Sequence, residues 1–182
     1  MARSCPIQSG YTLHYIRCPY KQKVTWAQND AAIEAYMNGI EYIYRINDDT
    51  DMETSGWTET FISVLRHLDP PNVGICGPKH NRGNLKILTY EFTHRSHIEI
   101  FGCYYPRILK NWDGDVWMTN VYRPERSFQI QHITLLHTLD AGTRYQVTSL
   151  GSWVLRNIIQ ENKAALERLM TDNTFPFNNK SS

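Results

Sequence analysis

The stretch "EYIYRINDDTDMETSGW", residues 41–57, constrains the chain most. Strand-like alternation through Tyr42, Ile43, Tyr44, Arg45 and Ile46 stops at Asn47-Asp48-Asp49-Thr50-Asp51, which packs three carboxylates into four positions. A strand of this kind needs a sheet, and acids gathered at its end repel one another unless a cation sits among them. In open α/β sheets ligands bind beyond the carboxyl ends of strands. A hard divalent ion, Mn²⁺ or Mg²⁺, takes oxygen ligands and leaves positions for water or phosphate. That suits a nucleoside diphosphate, whose charge a metal neutralises as it leaves. The competing reading is a solvated turn, with Asp51 or Thr54 capping the next helix.

The rest of the chain alternates helix and strand signals. "YTLHYIRC" (11–18) is rich in β-formers and reads as a strand. "TWAQNDAAIEAYMNG" (25–39) reads as a helix stopped by Asn38-Gly39. "IEYIYRI" (40–46) reads as a strand, and "GWTETFISVLRHL" (56–68) as a helix with Phe61, Val64, Leu65 and Leu68 on one face. "NVGICGP" (72–78) reads as a short buried strand, followed by the polar loop "KHNRGN" (79–84). Residues 85–102 mix strand and helix signals, with His94, Arg95 and His97 suited to a site wall. "VWMTNVY" (116–122) has a helical reading, residues 127–138 alternate as a strand, and 148–170 form a helix. This order predicts an α/β domain, residues 1–170, with a mostly parallel sheet flanked by helices and a disordered polar tail at 171–182.

Length and composition set the outer bounds. At 182 residues, 41% hydrophobic and 20% charged, the chain can bury a real core. A net charge of +1 gives no bulk signal for nucleic acid or membrane surfaces. Four scattered cysteines make no disulfide framework and read as reduced. There is no 18-residue apolar run, so no transmembrane segment is written, and "MARSCPIQSGY" lacks a signal-peptide core. The expected compartment is therefore cytoplasmic or nuclear.

Together, "VTWAQNDAAIEAYMNGIEYIYRINDDTD", "NWDGDVWMTNVY" and "HTLDAGTRY" resemble parts of a GT-A nucleotide-sugar glycosyltransferase, over roughly residues 11–147. Loosely, the branch is the eukaryotic one that includes the base J glucosyltransferase, which "RINDDT", "IFGCYYP" and "GTRY" resemble. The resemblance implies a GT-A-like, Rossmann-like fold and transfer of a sugar from a nucleotide diphosphate-sugar, a UDP-sugar, to an acceptor hydroxyl on a glycan, protein or modified base. It implies metal binding by Asp49, with Asp48 or Asp51 as alternatives and His137 as a further ligand. Asn29, Arg45, Asn47, Asp48 and Arg144 would contact the donor, with Asn47 or Asp48 reaching its ribose. Asp115 of "DGDVW" would be the general base, with Trp112 and Trp117 desolvating it. A complete domain of that family opens with a β-α-β segment, whereas a single strand is read before the Asn29 helix. The expectation is thus a fold truncated or permuted at its N-terminus. Two other functions fit the same residues: a catalytically degenerate GT-A-like interaction domain, and a metal-dependent nucleotidyl- or phosphotransferase.

Overall fold

The computed structural model describes residues 12–138 and 146–176. In chain order the elements are α1 (Val24–Met37), β1 (Tyr42–Tyr44), β2 (Thr50–Met52), α2 (Trp57–Arg66), β3 (Ile75–His80), β4 (Phe92–His94), α3 (Ser96–Phe101), α4 (Gly114–Tyr122), β5 (Ser127–His137) and α5 (Ser152–Asp172). The fold is mixed α/β, and the strands form one sheet in the order β1-β4-β3-β5-β2. Neighbours are antiparallel in every pair except β3 and β5. The expected mostly parallel sheet is therefore corrected to a mixed one. Short helix–strand connections imply right-handed parallel crossovers only when successive strands become neighbours. Here β1 and β2 lie at opposite edges instead.

That placement is demanding, because only residues 45–49 separate the two strands. Five strands about 4.8 Å apart span roughly 19 Å when flat. A chain of this length reaches about 20 Å only when fully extended. Residues 48–49 turn, with the Thr50 hydroxyl donating to the Asn47 carbonyl at 2.8 Å. The sheet must therefore curl until its edges approach. Registers show that β1, β3 and β5 point the same way, so the 45–49 crossing lies along their carboxyl ends.

Alternation along β3 divides the core between the two sheet faces. Ile75 joins one cluster with Val73, Leu88, Tyr104, Tyr105, Trp117, Met118, Val121, Leu166 and Phe175, the side of α4 and α5. Cys76 joins the other, with Phe92, Ile133 and the α2 residues Phe61 and Leu65. The predicted α2 face is thus buried as its spacing requires. Gly77 allows the closest backbone approach in the sheet, because a Cβ there would collide with the Tyr90 carbonyl oxygen. At its start α1 is pinned by Thr25, whose hydroxyl donates to the Leu109 carbonyl (2.6 Å), and by the Trp26 indole N–H to the Arg107 and Leu109 carbonyls. It stops where expected, with Gly39 at φ +79°.

Other expectations are revised. Residues 12–18 of the first predicted strand have no sheet partner, and Leu13 (78%) and Tyr15 (88%) are exposed. β-propensity without an edge to pair with makes no strand. Conversely, Thr50-Asp51-Met52, read as a turn, is strand β2, because the end of β5 supplies the ladder. Neither Asp51 nor Thr54 caps α2; the cap position is Gly56, and the Thr54 hydroxyl accepts the Thr134 N–H. Residues 171–176 are not a loose tail, since α5 runs to Asp172 and Phe175 is buried. No helix among the described residues is long and apolar enough to cross a membrane.

His97 forms no site wall: its ring is fully buried. The Tyr104 carbonyl can only accept, so Nε2 donates to it (2.9 Å), leaving Nδ1 to accept from the Tyr122 hydroxyl at 3.0 Å. Burial pushes its pKa down to about 4. The folded value lies below the unfolded one, so the unfolded chain binds more protons between the two. The contribution is complete above pH 6.5 and is lost as pH falls towards 4, on the order of 3 kcal/mol in all. Burial raises the Glu91 pKa, which works in the opposite direction, so comparison with a variant isolates His97. Urea midpoints taken from pH 7 to pH 4.5 should fall more steeply in the wild-type chain than in His97→Gln.

Candidate functional site

The crossing carries four of the residues singled out in the sequence. Arg45 comes first, its backbone N–H extending the β1–β4 ladder to the Glu91 carbonyl at 3.0 Å. Its guanidinium is held on several sides: Nη1 donates to the Thr89 carbonyl (2.7 Å) and to Asn47 Oδ1 (3.2 Å), and Nε to the Tyr105 hydroxyl (3.3 Å). Nε also lies 3.7 Å from Glu91 Oε1. Asn47 therefore serves to fix Arg45, while Asp48 points outward as an exposed residue.

Asp49 closes the crossing. Its main-chain carbonyl accepts from both the backbone N–H (2.9 Å) and the hydroxyl (3.2 Å) of Thr138, which sets its position beside the end of β5. The register pairs Thr50 with His137, and this brings Asp49 Oδ2 to 3.4 Å from His137 Nε2. Asp49 Oδ1 and His137 Nδ1 are both buried without a hydrogen-bond partner. Backbone contact with Asn81 Oδ1 (3.0 Å to the His137 N–H) steadies the ring's base. Asp51 does not join them: it is the exposed residue of β2, on the face opposite Thr50 and Met52. Among the described residues no three His, Cys, Asp or Glu side chains converge as a metal-binding group. The donors present are thus one carboxylate and one imidazole. Two ligands meeting a metal at about 2.1 Å and right angles lie about 3 Å apart. The 3.4 Å spacing is that of a carboxylate–imidazole contact, and it is also within the reach of two ligands on one divalent cation.

Asp113 and Asp115 separate into different roles. Asp113 sits before α4 at φ +71°, and its Oδ2 accepts the Ser149 hydroxyl (2.7 Å) and the Leu150 N–H (2.8 Å). Asn111 ties the same segment by donating to the Gln146 carbonyl (3.0 Å) and accepting the Thr148 N–H (2.8 Å). Asp115, the second residue of α4, has its Oδ1 accepting the neighbouring Val116 N–H at 2.8 Å. Burial raises its pKa, and the positive charge of Arg45 holds the rise back. Asp49, Asp115 and Arg45 all act on the Tyr90 phenol, so they share one electrostatic neighbourhood.

Asn29 lies elsewhere. It is buried, its Oδ1 accepting the N–H groups of Tyr104 (2.9 Å) and Tyr105 (2.8 Å) and its Nδ2 donating to the Tyr105 carbonyl at 2.8 Å. It clasps a core loop. Trp117 is fully buried in the core, and Trp112 is 46% exposed. Arg144 lies outside the described residues. His80, in the loop expected to be solvated, is buried between the Arg82 and Ile87 carbonyls, at 2.7 and 3.2 Å. A cavity of about 330 Å³ is lined by Arg45 with Ala31, Ala32, Ile43, Ile46 and Tyr104. Asp49, Asp115 and His137 are not in its lining.

Glu91 and Tyr105 were not singled out in the sequence. Glu91 is wholly buried, its Oε1 receiving the hydroxyls of Tyr105, very close, and Tyr104 at 3.4 Å. One carboxylate in the apolar run "TYEFTH" was the available signal. No family model, curated protein or solved structure matches this chain. The two acids of "DGD" should respond unequally to substitution. Asp113→Ala removes two bonds and puts a side chain other than Gly, Asn or Asp in the left-handed region. Urea unfolding should show a loss of about 2–3 kcal/mol, against less than about 1 kcal/mol for Asp115→Asn.

Proposed function

We propose that the chain is a metal-dependent glycosyltransferase: it binds a nucleotide diphosphate-sugar at the carboxyl ends of β1, β3 and β5 and transfers the sugar to an acceptor hydroxyl. The carrying observation is the approach of Asp49 and His137, far apart in sequence, to 3.4 Å with unpartnered buried atoms on both. A divalent cation between them would neutralise charge on the departing diphosphate.

The chain's own residues supply the rest. Arg45, fixed by Asn47, Thr89 and Tyr105, places a positive charge beside the acids without needing to reorganise. Asp115 takes the proton. With Oδ1 held by Val116, its other oxygen is the accepting atom. As the acceptor oxygen bonds to the anomeric carbon, the bond from that carbon to the diphosphate breaks and the hydroxyl proton passes to Asp115. Burial raises the pKa of this carboxyl, which strengthens it as a base. The base must be ionised, so activity should fall as pH drops through the raised Asp115 pKa.

Calorimetric titration with UDP tests the reading, with and without Mn²⁺. Binding should require Mn²⁺ and weaken at least ~10-fold in both Asp49→Asn and His137→Ala. Mn²⁺-independent behaviour, or wild-type affinity in both variants, would overturn it. With UDP-glucose as donor, Asp115→Asn should bind normally and turn over at least ~100-fold more slowly.

A further inference from the structure

We propose that β1 carries an open sheet edge that takes residues 12–18 of a second copy of this chain as an added strand, so that two chains associate by exchanging these segments. The inference goes beyond the nucleotide-sugar reading and does not rest on it.

The edge follows from the ladder. β1 is the terminal strand of the sheet, and among the described residues only β4 pairs with it. The Arg95 N–H donates to the Glu41 carbonyl (2.7 Å), the Arg45 N–H donates to the Glu91 carbonyl (3.0 Å), and Ile43 stands opposite Thr93 between them. Antiparallel pairing alternates. Residues 41, 43 and 45 direct their main-chain groups to β4, so those of Tyr42 and Tyr44 point the other way. Such an edge is a template for another strand, and proteins blunt it with Lys, Pro or a bulge. Tyr42-Ile43-Tyr44 has none of these. Beside it lies the cavity of about 330 Å³ between β1 and α1, with Ala31, Ala32, Ile43 and Ile46 in its lining. Ile46 is 53% exposed there. Outward main-chain groups next to an apolar hollow fit an extended segment with alternating side chains.

The chain supplies such a segment. Residues 12–18 are rich in β-formers and have no sheet partner. As a strand they would carry Leu13 and Tyr15, now exposed, on one face and Ile16 on the other. Within one chain, segment and edge are kept apart. The segment leads to Tyr20, whose hydroxyl donates to Asp30 Oδ1 at 3.5 Å. At 3.6 residues per turn, Asp30 lies about 150° around α1 from the mean direction of Gln28, Ala31 and Ala32, which line the cavity. The helix therefore stands between a chain's own segment and its own edge. A second copy reaches the edge from outside, and reciprocal exchange closes the pair with two identical junctions.

Sedimentation equilibrium of the full chain tests the proposal. Wild type should be a dimer at concentrations up to about 200 μM, and a monomer throughout that range overturns the proposal. Tyr15→Pro removes a ladder N–H from the segment, and Ala31→Glu puts a charge at the cavity from an exposed helix position. Each should weaken association at least ~10-fold. Equal amounts of the two variants should recover part of it, because the first keeps an intact edge and the second an intact segment. A dimer that either substitution leaves unchanged overturns the proposal. Hydrogen exchange locates the junction: the Tyr42 and Tyr44 amides should exchange at least ~10-fold faster in Tyr15→Pro than in wild type, with the Ile43 amide unchanged. Slow Tyr42 and Tyr44 amides in a monomer would mean that the chain's own segment covers the edge, which also overturns the proposal. None of these measurements involves metal or nucleotide, so their failure and a failed UDP titration are separate results.

Discussion

The chain must pass from one edge of a five-stranded sheet to the other within residues 45–49, and the rest of the architecture accommodates that passage. The curl of the sheet follows from it. So does the location of the acids, because a crossing at the strands' carboxyl ends places its side chains where α/β sheets take ligands. Both ends are anchored by main-chain bonds, Arg45 N–H to Glu91 and the Asp49 carbonyl to Thr138. A segment fixed at two ends and turned in its middle presents its side chains in one arrangement.

Beneath the crossing lies a costly choice. Burying a guanidinium and a carboxylate costs several kcal/mol per ion before their attraction repays it, and two apolar residues would fill the space as well. Arg45 recovers much of this through Thr89, Asn47 and Tyr105, but Glu91 keeps one oxygen unpartnered. Tyr104 and Tyr105 pay part of the cost, both hydroxyls converging on the same Glu91 oxygen. Such an arrangement is hard to explain as core packing alone.

The sequence disclosed the elements better than their arrangement. The helices at α1, α2 and α5 and the strand at β5 announced themselves through periodicity and stop signals, which act locally. The acidic cluster lies, as read, just past the carboxyl end of β1. Strand pairing was not legible, because it depends on which edges meet: residues 12–18 have the composition of a strand and no partner, whereas Thr50-Asp51-Met52 have a turn's composition and a partner in β5. The proximity of Asp49 and His137 was anticipated only through a resemblance. Glu91 and Tyr105 were missed because a lone Glu and a Tyr among aromatics signal nothing until the fold brings them to Arg45. Asn29 was assigned to a ligand although its amide is spent on the Tyr104–Tyr105 backbone.

Two pairs of aspartates show why residue type and spacing cannot assign a role. Asp113 and Asp115 are two apart, as are Asp49 and Asp51, and within each pair the two members end in different surroundings. Backbone conformation decides. A left-handed φ of +71° puts Asp113 outside the helix, where its carboxylate tethers the 149–150 segment, while Asp115 has entered the helix and accepts the Val116 N–H. Likewise Asp51 lies within β2 with its side chain exposed, and Asp49, still in the turn, comes to His137. An acidic run therefore marks a place where charge is concentrated. What each acid touches is settled by the turn or helix start on which it falls.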